Sequence, residues 1–218
     1  MHPWDVTEAE AVAIQRGLRS KVQTTGPLAL TDIHTIAGVD AAYKDIGRAA
    51  IVVLSFPELT VLEEVTATRE TAFPYIPGLL TFREGPVVFD ALAKLQTQPD
   101  VFMFDGQGIA HPRRLGIAAH IGVLMDRPSI GCAKSRLTGT YTEPGPNQGD
   151  RSPLTYRGEQ LGIVLRSKPR TNPLFISVGN KIALDLALEV VLRCLRGYRL
   201  PEPTRLADKL SKVRPAAE

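Results

Sequence analysis

Residues 34–70 read HTIAGVDAAYKDIGRAAIVVLSFPELTVLEEVTATRE. Three strand-like runs lie within it: HTIAGVDAAY, RAAIVVLSF and TVLEEVTATRE. Only the short connectors KDIG and PEL separate them. Parallel neighbours need a crossover of a dozen or more residues, so these three strands must pair antiparallel. In the third, Val61, Val65 and Ala67 alternate with Glu64, Thr66 and Thr68, the pattern of a strand with one wet face.

Beyond the three runs, helix and strand alternate. PYIPG, residues 74–78, leads into a helical stretch ending near Leu95, and then into the strand VFMFD, residues 101–105. A helix between that strand and the first three predicts a right-handed crossover. Pro112 suits the first position of a second helix, LGIAAHIGVLM. A short strand, SIGC, follows, and residues 143–153, EPGPNQGDRSP, read as a loop. QLGIVLRS and PLFISVG are two further strands. They lead into a long helix, KIALDLALEVVLRCLRG, with Ala183, Ala187, Val190, Val191 and Cys194 as its buried face and Gly197 to close it. A tail with two prolines and a short basic helix finish the chain. At the other end, Thr7 and Glu10 have capping-box spacing, and Ile14, Leu18 and Val22 form an apolar stripe. The expected fold is a single α/β domain over residues 1–218, a mixed central sheet with helices on both faces. In such sheets sites lie at the carboxyl ends of strands.

The totals agree with that class. The chain has 218 residues, 44% apolar and 22% charged, which supports a real core and argues against disorder. Net charge is only +3, yet acidic residues prevail in residues 1–100 and basic ones in 101–218. A basic half suits a phosphate-rich partner, though a solvated face reads the same way. Cys132 and Cys194 are far apart and form no CxxC, so reduced thiols in a cytoplasmic protein are expected. The start, MHPWDVTEAEAV, is acidic and unlike a signal peptide, and no apolar run approaches 18 residues, so no membrane partner is expected.

Two acids end or interrupt apolar strands. Asp40 lies inside TIAGVDAAY, on one face with Ile36, Gly38 and Ala42, and Asp105 closes VFMFD. A carboxylate buried alone costs several kcal/mol or takes up a proton, so it needs a cation or strong donors. If the first and fourth strands are neighbours, the two acids face each other, and two hard oxygen ligands with open positions suit Mg²⁺. Backbone donors and an Asx-type turn would satisfy them equally. Glu84 in LTFREGP has capping-box spacing from Thr81, but Pro86 fits better as a helix start, which leaves Glu84 just ahead of the helix and free to point elsewhere.

Read in order, GVDAAY, PYIPG with LLTFRE, FDGQGIAHPRRLG, IGCAKSRL, NPLFISVGNKI and GYRLPEPTRLAD resemble the endonuclease V family of DNA-repair nucleases, over about residues 35–210. PYIPG, DGQGIAHPRRLG and YRLPEPTR together are far more specific than any one of them. The resemblance implies a ribonuclease H-like fold with the first and fourth strands adjacent. It implies Mg²⁺-dependent cleavage, with Mn²⁺ as a substitute, of the second phosphodiester 3′ to a deaminated base, above all hypoxanthine. The products would carry 3′-hydroxyl and 5′-phosphate ends. Family metal ligands map onto Asp40 and Asp105, a third catalytic acid onto Glu84, and the lysine near the scissile phosphate onto Lys134.

The residue types suit that chemistry. Hydrolysing a phosphodiester needs an activated water and a stabilised leaving oxygen, which a metal and a lysine supply. Pro74 and Pro77 stiffen the loop around Tyr75 and Ile76, making a DNA-binding wedge that can border the gap left by an unstacked base. Taken alone, a Tyr between prolines is more often a packed loop, and Lys134 more often a surface lysine. Gly78, Leu80, Gly106, Ile117 and Gly131 match the family's base pocket. Two mispaired polar groups would disfavour adenine there by about 2–6 kcal/mol. His111 suits a structural or DNA-side role, and Arg113, Arg114, Arg166, Lys168 and Arg170 are candidate phosphate contacts.

One departure stands out. The family carries His in the segment before the last long helix, and this chain has Asn180 in SVGNKI. Asn is a good helix N-cap and cannot act as acid or base, so an altered metal response is expected there. The expected partner is DNA containing deaminated bases, bound by a monomer. The competing expectations are an inosine-recognising binding module with little cleavage, a nuclease preferring inosine in RNA, and a small-molecule phosphatase on the same fold.

Overall fold

The first three runs form strands β1 (Thr35–Tyr43), β2 (Gly47–Ser55) and β3 (Val61–Arg69), paired antiparallel in sequence order. The computed structural model of the chain describes residues 1–43 and 46–213; Lys44 and Asp45 of the KDIG connector lie outside them. Helix α1 (Glu8–Arg19) precedes the sheet and opens with the Thr7–Glu10 capping box. After β3 come α2 (Leu80–Leu92), β4 (Val101–Phe104), α3 (Ile117–Met125), β5 (Ser129–Ala133), β6 (Arg151–Tyr156), β7 (Glu159–Leu165), β8 (Leu174–Asn180), α4 (Leu184–Arg193) and α5 (Glu202–Ser211). Among the described residues, all 8 strands join one sheet in the order β3-β2-β1-β4-β5-β8-β7-β6.

β4 lies parallel beside β1, Val39 opposite Phe104, and β5 lies parallel beside β4. The alternation of side chains along β1 divides the core. Ile36 faces a layer built with Val52, Leu54, Met103, Ile130 and the apolar sides of α4 and α5. Ala37 and Val39 face the other layer, closed by Val87, Val88 and Ala91 of α2 and Ile117, Ala118 and Ile121 of α3. The sheet therefore has helices on both faces, the ribonuclease H-like arrangement. Gly38, on the α5 side, has no room for a side chain: a Cβ there would stand 1.9 Å from the Pro203 carbonyl oxygen. The start of α5 thus packs directly on the β1 backbone.

Several local expectations are corrected. Pro86 does not start a helix; it sits in the second turn of α2. The helix begins earlier because the loop has already turned, with Leu79 N–H donating to Ile76 O at 2.9 Å and Phe82 N–H to Leu79 O at 3.0 Å. Leu79 is the N-cap and makes no side-chain cap, so Thr81 and Glu84 form no capping box. Pro112 does not start α3. It occupies the second place of a turn closed by Arg114 N–H to His111 O at 2.9 Å, a position Pro favours, and Gly116 precedes the helix instead. Residues 143–153 are not loop throughout, since β6 begins at Arg151 and pairs with β7 across Arg157 and Gly158, both at positive φ. That is a two-residue hairpin turn, and Pro153 is tolerated because β6 is the sheet's edge. Ala183 is only half-buried, as the N-cap of α4.

Candidate functional site

Asp105 follows β4 directly, and its N–H donates to Val39 O of β1 at 3.0 Å. That bond extends the parallel pairing by one step and sets Asp105 beside Asp40. A third acid joins them from the other end of the chain. Asp208 projects from α5, and one carboxylate oxygen from each of Asp40, Asp105 and Asp208 lies within 4.8 Å of the others. Ser211, one turn further along α5, donates its hydroxyl to Asp40 Oδ2 at 2.5 Å.

Lys134 enters from just past β5. Its Nζ stands 2.5 Å from Asp105 Oδ2 and 2.6 Å from Asp208 Oδ1. Burial alone would lower the lysine's pKa, but the two carboxylates outweigh it and hold the ammonium charged. Burial raises Asp105 to about 6, with Lys134 opposing the rise. Burial would also raise Asp208, yet hydrogen bonds from Lys134 and Lys212 hold it below the usual carboxylate range. Glu84 of α2 is pushed well above its ordinary value, first by burial and then by repulsion from Asp40 and Asp105.

The donor set fits a hard divalent cation. It is all oxygen, it converges from three elements, and Asp105 Oδ2 is buried without an aligned hydrogen-bond donor despite the nearby ammonium. Asp208 was missed in the sequence although it stands inside YRLPEPTRLAD. The available signal was helical phase: Thr204, Ala207 and Ser211 are buried on α5, and Asp208 shares their side.

A cavity of about 300 Å³ opens beside the carboxylates. Asp105 and Lys134 form one side, and Tyr75, Ile76, Pro77, Gly78, Leu80, Gly106 and Ile117 contribute to the rest. Tyr75, among its lining residues, is 68% exposed. Two expected residues do not line it. Pro74 borders a second cavity behind the loop, with Trp4 and Phe82. Gly131 lies beneath the Asp105–Gly108 segment, where a Cβ would stand 2.2 Å from Gly108 N; its role is close packing.

His111 is buried and donates from Nε2 to Gly78 O at 2.9 Å, while its Nδ1 accepts from Arg113 N–H at 3.1 Å. Burial lowers its pKa to about 4, so it is a neutral structural imidazole. Arg113 also bonds Gly78 O, Arg114 pairs with Glu159, and Arg166 with Glu143. These three arginines are occupied within the fold. Lys168 and Arg170 are exposed and make no ion pair among the described residues.

Asn180 is placed away from the carboxylates. It ends β8 opposite Ser129, where β5 begins, and the carboxylates lie at the other end of β4 and β5. It is not a helix cap. Its amide accepts from Gln23 N–H at 3.0 Å and donates to Gly122 O at 3.1 Å and Arg127 O at 3.4 Å.

A sequence model of the endonuclease V family matches residues 16–209. An endonuclease V of Nostoc punctiforme is 52% identical over 216 residues, covering 98% of this chain and 97% of its own. The crystal structure of an endonuclease V from Streptomyces avermitilis superposes with a TM-score of 0.88 at 42% identity, covering 96% of this chain and 93% of the other. That of a Ciona intestinalis endonuclease V, in complex with a 24mer DNA containing an inosine followed by a ribo-adenosine, superposes with a TM-score of 0.82 at 29% identity, covering 94% and 95%.

Proposed function

Because the chain belongs to the endonuclease V family, we propose that it is a metal-dependent nuclease of inosine-containing DNA. It hydrolyses the second phosphodiester 3′ to hypoxanthine and leaves 3′-hydroxyl and 5′-phosphate ends. The observation that carries this reading is the convergence of Asp40, Asp105 and Asp208 at the edge of a cavity bordered by Tyr75.

Asp40, Asp105 and Asp208 would hold Mg²⁺, or Mn²⁺ in its place. The ion supplies Lewis acidity toward the phosphate and makes water a stronger acid. Lys134 places a positive charge where the phosphate's charge builds in the transition state. Glu84, buried beside Asp40 and Asp105 and raised well above its ordinary value, would be the third catalytic acid, able to accept a proton only once a bound cation offsets that repulsion. Ser211 donates to one oxygen of Asp40 and so orients that carboxylate. Tyr75, stiffened by Pro74 and Pro77, borders the gap in the base stack, and the backbone at Gly78, Leu80, Gly106 and Ile117 receives the extruded base. Hypoxanthine offers an N–H and an oxygen where adenine offers the reverse, so fixed backbone groups can separate them.

The test is a nicking assay on a duplex with a single inosine, with the cut mapped and its ends identified, and Asp40→Ala run beside the wild type. Wild type cuts at the second bond and the variant does not. Tight binding with no cutting would select the binding-module reading instead. A second reading, inosine in RNA, is favoured by the ribo-adenosine following inosine in the DNA bound by the Ciona protein. Matched DNA and RNA strands compared at equal enzyme decide between them.

A further inference from the structure

The polar side chain of Gln15 lies in the least expected place on α1. It is 1% exposed and sits beside an apolar cluster of Ala11, Phe73, Leu79 and Phe82. A buried amide is costly unless its donors and acceptor are satisfied, and here all are used. Nε2 donates to Gly78 O at 3.0 Å and to Leu115 O at 3.2 Å, and Oε1 accepts from Arg113 Nε at 2.5 Å.

Those partners belong to two walls of the cavity. Gly78 closes the proline-bounded loop that carries Tyr75, and Leu115 precedes the lining residues Gly116 and Ile117. Gly78 O also takes hydrogen bonds from His111 Nε2 at 2.9 Å and Arg113 Nη2 at 2.7 Å. One carbonyl oxygen is therefore fixed by three donors. Its residue has φ of +83°, and a Cβ would stand 2.9 Å from Arg113 Nη2, so the position requires glycine. Gln15 does not itself line the cavity. It joins the wedge side to the α3 side with a single amide.

We propose that Gln15 is a positioning residue that sets the opening of the base pocket, and so its selectivity, by tying the Gly78 and Leu115 carbonyls to one another. The inference rests on the functional reading above. Recognition through backbone groups needs placement to about half an ångström, and a clamp across the two walls supplies it.

Steady-state nicking of an inosine duplex and of the unmodified duplex, by wild type, Gln15→Leu and Gln15→Glu, tests this, with thermal unfolding of each protein. In Gln15→Leu, KM for the inosine duplex rises about tenfold or more and preference over the unmodified duplex falls alike. Saturated kcat and the Mg²⁺ concentration for half-maximal cutting stay within about twofold, since neither carboxylates nor Lys134 are touched. Gln15→Glu keeps an acceptor for Arg113 Nε and falls between the two; it also gives the same readout if the Leu variant fails to fold. Unchanged KM and preference in the variants, or a loss in kcat alone that follows the melting temperature, overturns the inference. A wild type with no preference for inosine overturns the functional reading and takes this inference with it.

Discussion

Lys134 stands between Asp105 and Asp208, and the three charges stabilise one another in a setting where any one alone would be costly. Lys134→Met leaves two carboxylates in mutual repulsion. The expected outcome is a loss of about 1–2 kcal/mol in chelator, discounted because the lysine is part-exposed, with Mg²⁺ restoring most of it. Thermal unfolding with and without Mg²⁺ checks this; equal melting temperatures in chelator would remove the lysine from the charge balance. Asn180 shows the opposite relation. Its three buried hydrogen bonds lie at the far end of the strands, so Asn180→His should cost about 1–3 kcal/mol in denaturant titration while the Mg²⁺ and Mn²⁺ response curves stay coincident with wild type. At this scale, Asp40 and Asp105 were legible because a charge inside or closing an apolar strand has few local explanations. Asp208 was not, because a carboxylate on a short charged helix has many.

Among elements, α5 has the largest influence for its length. It rests on β1 where Gly38 leaves the backbone bare, and it brings Asp208 and Ser211 to Asp40. Gly38→Ala would drive a methyl into the Pro203 carbonyl. Such overpacking costs about 1–3 kcal/mol, and the displaced helix takes Asp208 with it. Nicking should therefore fall by about tenfold or more even at temperatures where circular dichroism shows the variant folded. The antiparallel start of the sheet was readable from connector length, whereas the β1–β4 pairing followed only from the family resemblance. The proline expectations failed for a specific reason. Pro86 and Pro112 both obey φ preferences, but tertiary turns already in place at Ile76–Leu79 and His111–Arg114 decided where the helices begin. The β6–β7 hairpin carried a usable signal in Arg157–Gly158, hidden by the proline of an edge strand.

For the whole molecule, two buried imidazoles weaken the fold toward acid, and the raised carboxyls of Asp105 and Glu84 work in the opposite sense. Burial lowers His120 from 6.5 to about 3 and His111 from 6.5 to about 4. The unfolded chain binds the imidazole protons from about pH 6.5 downward and the folded chain does not, so the histidines' contribution to stability is full above 6.5 and is lost as pH drops toward 3. At pH 4.5, His120 alone should account for about 2–3 kcal/mol. Denaturant midpoints measured from pH 7.5 to 4.5 check the slope, which His120→Phe should flatten whatever that variant does at neutral pH. Charge placement was visible in the sequence; the depth of His120 had a signal too, since it interrupts the apolar run IAAHIGVLM, whereas that of His111, beside Pro112 and two arginines, had none. The same molecule-wide view gives meaning to the spacing of its three clustered acids. Position 208 leaves the ribosome long after 40 and 105. A nascent chain can therefore complete the sheet that carries Asp40 and neighbours Asp105 before α5 delivers the third carboxylate, so the acidic cluster is the last part of the molecule to be finished.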